Sequence, residues 1–414
     1  MTFGFPLAWI DRDGKLLIAV RGLRTFSHSA VTILVAIYLD LQGFSLVEVG
    51  VFLTLGSTGA AAAALLAGVF GDTFGRRRML ALLAMFMALT GIALVATTSL
   101  PILTIAAFFG GFSAMSGAAG GMGPLEQAIL PTTSPEDRRT EVFAVYGVVG
   151  MTAVALGSLA AGAPTIIQSV IGLDQIGATR LVFAAYAVMG VNVALLYLLL
   201  SRKVEVPRET RSNMWVNPLR LPSRRRIFTL SGLFMADSFG TGLIPQSLAA
   251  YYFFTRFDLE PEQLGLLFFA SSVLTAISLW VAARLAKAIG LVNTMVFTHI
   301  PSSVFLMAVP LVPEAWMAIG LWLLRAFFAQ MDVPTSQSYT MAVVRPEERT
   351  AMASAGMVSR SAGIAAGPSV STALWSAGSA TVPFVIGGMI KITYDLALWS
   401  LFKRVKPPEE MSHP

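Results

Sequence analysis

The sequence contains no cysteine and only three histidines, His28, His299 and His413, in 414 residues. Disulfides, thiolate metal centres and cysteine nucleophiles are therefore excluded, and histidines this far apart in sequence do not suggest a metal site. Charge is scarce as well: Asp, Glu, Lys and Arg make up 13% of the chain, 55% is hydrophobic, and the mean hydropathy is +0.72. That composition is too apolar for a soluble protein of this length, so the chain reads as an all-α membrane protein with the bilayer as its solvent. Neither H-E-x-x-H nor G-x-S-x-G occurs in a usable context, no ATP-binding signature is present, and no loop is long enough for a nucleotide-binding domain. The expectation is a protein that is not an enzyme and carries no cofactor or metal.

What the chain has in abundance is long apolar runs. Segments of about 20 residues or more, the length a bilayer demands, can be drawn near 16–39, 46–70, 79–98, 101–130, 142–168 and 180–201, and again near 228–254, 262–288, 291–312, 315–343, 351–376 and 380–402. This predicts twelve transmembrane helices in two bundles of six. Residues 1–201 form the first bundle, the basic, proline-containing stretch 202–227 is a linker, and 228–414 form the second bundle with a short tail. Met1–Lys15 is polar and of mixed charge, so the first apolar run is expected to be a span and not a cleavable leader.

The basic residues fix the orientation. The net charge is +6 and the pI about 9.7, which in a soluble chain would suggest nucleic acid. Here, of 29 Lys and Arg residues, only Arg180 and Arg256 fall on one side, and Arg21, Arg24, Arg325, Arg360 and Lys391 fall within segments. All the others lie in loops, in tails or, for Arg284 and Lys287, at the end of a segment on the opposite side. By the positive-inside rule that side is the cytoplasm, both termini lie there, and nucleic acid is not a partner. A multi-pass protein of the cytoplasmic (inner) membrane, acting as a monomer, is expected.

The halves echo each other, as in a duplicated transporter unit. Ser134-Pro135-Glu136-Asp137-Arg138 aligns with Arg345-Pro346-Glu347-Glu348-Arg349, followed by Thr140 against Thr350 and Gly157 against Gly367.

One loop carries a recognisable motif. Gly68-x-x-x-Asp72-x-x-Gly75-Arg76-Arg77 follows the second apolar segment, and its glycines are expected to permit a tight loop and close helix approach. Asp72 has two candidate roles: capping the next helix, or accepting hydrogen bonds from the other half. The spacing resembles the loop between helices 2 and 3 of the major facilitator superfamily. The resemblance implies that fold, a gating role for Gly68, Asp72, Gly75, Arg76 and Arg77, and a central cavity lined by segments 1, 4, 7 and 10. The chain departs from the antiporter pattern in two places. Its Gly-Pro pair, Gly367-Pro368, is on segment 11, and its fourth segment lacks the arginine often found there.

An ionisable group in hydrocarbon is costly unless it faces a partner or a cavity, so each one is a candidate site. Arg24, Glu126, Asp237, Arg325, Asp332 and Arg360 are the substrate or coupling candidates. Arg325 and Asp332, seven apart, are expected on one helical face, where they would contact a ligand or pair with neighbouring helices. Asp237 has no basic residue near it on its own segment and is expected to bind a proton reversibly. Lys391 and Asp395 on segment 12 read as a structural i,i+4 pair, and Arg21 as a side chain reaching back to the interface.

These readings lead to a secondary transporter that moves a small molecule by alternating access, with protons as the coupling ion and efflux preferred because Phe234, Phe239 and Tyr251 suggest an aromatic cavity. The alternatives are an uptake symporter or facilitator of an anionic solute held by Arg24, Arg325 or Arg360, and a non-transport assembly factor on the same fold.

Overall fold

The computed structural model describes residues 9–115, 120–205, 221–345 and 348–403. Most of the expected linker, including Arg208, Arg211 and Arg220, lies outside them. Among the described residues every regular element is helical. The first half comprises α1 (Arg12–Leu41), α2 (Leu46–Phe74), α3 (Arg76–Ala96), α4 (Leu100–Gly110), α5 (Gly123–Ile129), α6 (Arg139–Leu159), α7 (Ala163–Ile171) and α8 (Gln175–Leu198). The second comprises α9 (Arg224–Leu243), α10 (Gln246–Phe257), α11 (Pro261–Ile289), α12 (Leu291–Ala308), α13 (Ala315–Phe328), α14 (Asp332–Ala342), α15 (Arg349–Ala377) and α16 (Thr381–Phe402).

Sixteen helices serve twelve spans because several spans are broken. The fourth divides into α4 and α5, the fifth into α6 and α7, the seventh into α9 and α10, and the tenth into α13 and α14. The breaks have local causes. Gly111 ends α4 in the left-handed region at φ 59°, and Pro245, whose ring cannot continue a helix, precedes α10. Nine helical stretches among the described residues are long and apolar enough to cross a membrane, with α4 and α13 as shorter apolar pieces.

The described residues form two compact units. One comprises Met1–Phe44, Leu55–Asn213 and Glu260–Leu266; the other comprises Ser45–Thr54, Met214–Leu259 and Leu267–Pro414. The beginnings of α2 and α11 are thus exchanged relative to the sequence halves. In the second unit Ser369 of α15 donates to the Gly50 carbonyl at 3.2 Å and lies 2.8 Å from the Thr54 hydroxyl, fastening the start of α2 to α15.

The internal duplication shows in the packing. In the first unit α1 packs on α6 and α8, and α3 on α8 and α4; in the second α9 packs on α15 and α16, and α12 on α16 and α13. Spans 1, 3, 4, 5 and 6 therefore make the same pairings as spans 7, 9, 10, 11 and 12. Small residues allow close approach: a methyl group on Gly240 of α9 would meet the Gly387 carbonyl of α16 at 3.0 Å.

Two helices begin on three consecutive arginines, α3 on Arg76–Arg78 and α9 on Arg224–Arg226. The helix dipole disfavours positive charge at these ends by roughly 0.3–1 kcal/mol per charge. Distant carboxylates offset this cost. Glu205 accepts from the backbone N–H groups of Arg76 and Arg77 at 2.7 and 3.2 Å, and Glu348 accepts from that of Ser223 at 3.0 Å. The hydrogen bonds from Ser223, with those from Arg345, hold the Glu348 carboxyl below the usual range.

Candidate functional site

In the first unit Glu126 is fully buried on α5 and is saturated with donors. Arg24 Nη2 of α1 reaches Oε2 at 2.9 Å, the Tyr146 hydroxyl of α6 donates to the same oxygen at 2.5 Å, and the Tyr197 hydroxyl of α8 donates to Oε1. The α4–α5 break makes this possible, because it restarts the fourth span so that Glu126 falls in a first helical turn, where the dipole favours an acid. A carboxylate with an arginine and two phenols is already neutralised and bonded. The sequence candidates Arg24 and Glu126 are thus brought together as a clasp joining four helices. His28, one turn along α1, lies 3.5 Å from the Tyr186 hydroxyl with its ring 5.2 Å from Phe112, beside a cavity of about 20 Å³. That space suits a single water.

Arg21 does not reach back to the interface as its position suggested. Its guanidinium lies 5.0 Å from the Tyr146 ring centre, a cation–π contact beside the clasp.

The second unit contains the larger charged cluster. Lys391 Nζ of α16 donates to Asp237 Oδ1 of α9 at 2.8 Å and to the Thr241 hydroxyl at 2.7 Å. His299 of α12 places Nδ1 3.0 Å from both carboxylate oxygens of Asp395 and Nε2 3.6 Å from Asp237 Oδ1. Asp332 of α14 is buried within electrostatic range of His299, Asp237, Lys391 and Arg360. Arg360 of α15 donates to the Ser336 hydroxyl at 3.2 Å and covers the Phe234 ring at 3.9 Å.

Three expectations are corrected here. Lys391 and Asp395 do not pair with each other. Two charges four apart on a helix facing lipid would remain desolvated even when paired, so both turn inward, one to Asp237 and the other to His299. Asp237 is not partnerless: its cation comes from another helix. Arg325 and Asp332 do not share a continuous face, because α13 ends at Phe328 and α14 starts at Asp332, which breaks the two-turn register. Arg325 instead stacks on Trp322 of its own helix at 4.6 Å.

Asp72 lies in the last turn of α2 and does not cap α3. Its Oδ1 accepts from Arg76 Nε, at the start of α3, at 2.7 Å, while Glu205 supplies the cap of α3. Gly75, at φ 104°, needs to be glycine. Gly71 is pressed against Leu125, whereas a methyl group on Gly68 would meet nothing within 4 Å. Arg77 donates to the Leu200 carbonyl at 3.1 Å.

His299, Lys391, Tyr146, Tyr197 and Glu205 were not among the sequence candidates. Lys391 and Asp395 had a usable signal, since charges that deep in an apolar segment need partners on other helices. His299 was weighed only as a metal ligand, and no group of three or more ligating side chains occurs among the described residues.

Twelve apolar spans in two alike halves, with ionisable groups paired inside them, define a membrane transport protein of the twelve-helix type. The sequence profile of the Major Facilitator Superfamily matches residues 17–259 and 230–414, and the chain belongs to that family. It is similar to an uncharacterised membrane protein of Saccharomyces cerevisiae, YJR124C, at 25% identity, over 95% of this chain and 94% of the other. Among solved structures it resembles the nucleoside transporter NupG (TM-score 0.72, 12% identity, 95% of this chain and 100% of that one). It also resembles a POT family transporter in complex with 5-aminolevulinic acid (TM-score 0.72, 15% identity, 95% and 96% coverage). A bacterial homologue of the human lysosomal transporter Spinster, inward-facing and unoccupied, is similar as well (TM-score 0.68, 16% identity, 93% and 94% coverage). These likenesses establish the major facilitator fold.

Proposed function

We propose that this membrane transporter is a proton-coupled secondary transporter of a small solute, working by alternating access in the cytoplasmic membrane. The observation that carries the reading is the cluster of Asp237, Lys391, His299, Asp395, Asp332 and Arg360, where five helices of one unit bring six ionisable side chains together inside hydrocarbon. Such groups are rare in membranes because they are costly, and they mark ion pathways and proton relays. Lys391, Asp237, His299 and Asp395 are 10% exposed or less at their side chains. A change in the proton count there alters which helices attract one another, and that is what coupling requires.

Of the three aromatics behind the efflux expectation, Phe234 is packed in the core beneath Arg360 and Tyr251 packs against Trp375. An anionic solute remains a second reading because of Arg325, which stacks on Trp322 and has no ion pair among the described residues. Transport in proteoliposomes separates the two. In the leading reading an imposed pH gradient drives accumulation, and Asp237→Asn abolishes it while solute exchange continues. Full pH-driven accumulation by Asp237→Asn would remove the cluster from coupling. Transport of anions alone, independent of pH and lost in Arg325→Gln, would establish the facilitator instead.

A further inference from the structure

His299 is set between two carboxylates on two different helices. Nδ1 faces both oxygens of Asp395 on α16 at 3.0 Å, and Nε2 faces Asp237 on α9 at 3.6 Å. A neutral imidazole has one N–H and one lone pair, so whichever tautomer it adopts, one of these carboxylates meets a lone pair. Only the imidazolium gives both a hydrogen. The charge balance points the same way. When ionised, Asp237, Asp332 and Asp395 supply three negative charges, against two positive ones from Lys391 and Arg360. With a neutral His299 the cluster carries one uncompensated negative charge in a desolvated environment; with an imidazolium it is neutral. Among the described residues, Tyr394 of α16 is a further titratable neighbour, its ring centre 6.0 Å from the imidazole.

We infer that His299 is the proton-carrying group of this transporter, an imidazolium that clamps α9 to α12 and α16 and releases its Nε2 proton during the transport cycle. The inference rests on the proton-coupled reading above and names the group that reading needs. On release the Nε2–H bond breaks, the proton passes to water, and the electron pair stays on nitrogen, pointing at Asp237. The attraction between α12 and α9 then becomes a repulsion, and the Asp237 carboxylate is left to Lys391. The clamp sits on the half of the seventh span that precedes the Ile244–Pro245 break, so α9 can respond without carrying α10 with it.

With only three histidines in the sequence, the ring is directly observable. The experiment is 15N NMR of histidine-labelled full-length protein in lipid nanodiscs at neutral pH, with the His299 signal assigned by its loss in His299→Asn. Should that variant not fold, the assignment comes from subtracting the signals lost in His28→Asn and His413→Asn. The expected result is an imidazolium in the wild type and a neutral ring in Asp395→Asn. A neutral ring in the wild type, or an unchanged charge state in Asp395→Asn, overturns the assignment. In parallel, solute-linked proton flux is measured in proteoliposomes with pyranine as the internal pH probe. Proton flux alongside a neutral ring overturns the His299 assignment and spares the coupling reading. Flux retained in His299→Gln, with the protein folded, overturns it as well. An imidazolium without any solute-linked flux overturns the coupled role while leaving the clamp.

Discussion

Lys391 of α16 and Asp237 of α9 form an ion pair at 2.8 Å, with side chains 6% and 10% exposed. Removing one partner from a buried pair costs about 3–5 kcal/mol, because the other charge is stranded. Lys391→Met alone should therefore lower thermal stability in detergent sharply. The double variant Lys391→Met with Asp237→Asn should recover a large part of the loss. Equal destabilisation by the single and the double variant would mean that the pair is not coupled.

The clasp on Glu126 predicts a graded series. Glu126→Ala leaves Arg24 buried without its carboxylate and should cost about 3–5 kcal/mol. Tyr146→Phe and Tyr197→Phe each remove one hydrogen bond to a charged group and should cost about 1.5–3 kcal/mol. Thermal unfolding of the three purified variants checks the order. A stable, fully folded Glu126→Ala protein would contradict the structural role and return Glu126 to the list of transport groups.

Glu348 provides a pH test outside the membrane spans. Its carboxyl is held below the ordinary value of 4.5, chiefly by hydrogen bonds from Ser223. A depressed acid contributes stability that is fully present above the unfolded value and is lost as pH falls through the folded one. The wild type should thus hold its stability from neutral pH down to about 4.5 and lose part of it below. Glu348→Gln should start lower and lack that component. Identical acid limbs in the two proteins would show that Glu348 does not cap α9.

The positions of the spans were legible because hydrocarbon imposes a length that few other constraints mimic, and the duplicated pairing followed from the repeat around Gly157 and Gly367. What the charges do inside the spans was less accessible. Periodicity along one helix finds Lys391 and Asp395 four apart, but their partners, Asp237 and His299, lie on other helices and are fixed by packing. The same limit applies to Arg325 and Asp332, since a face drawn on a continuous helix has no meaning across the turn at 329–331. Glu126 was recognised as a buried acid from its segment alone. Its phenolic partners, Tyr146 and Tyr197, are distant in sequence and carry no pattern of their own.

Orientation rests on the basic residues and is checked separately. A reporter fused after Arg211 should be cytoplasmic, and one inserted near Asp174, ahead of α8, should be external. Exchange of the two readings would invert the protein in the membrane, and two readings on the same side would change the number of spans.

The central claim is that solute movement and proton movement are one event, carried by the cluster around Asp237 and His299. The direct measurement is proton flux across proteoliposomes on addition of each member of a solute panel of cations, anions and neutral amphiphiles, with no pH gradient imposed. The account predicts that at least one solute moves protons in the wild-type protein and that Asp237→Asn, folded and inserted, transports the same solute without them. A solute transported by the wild type with no accompanying proton flux would contradict it.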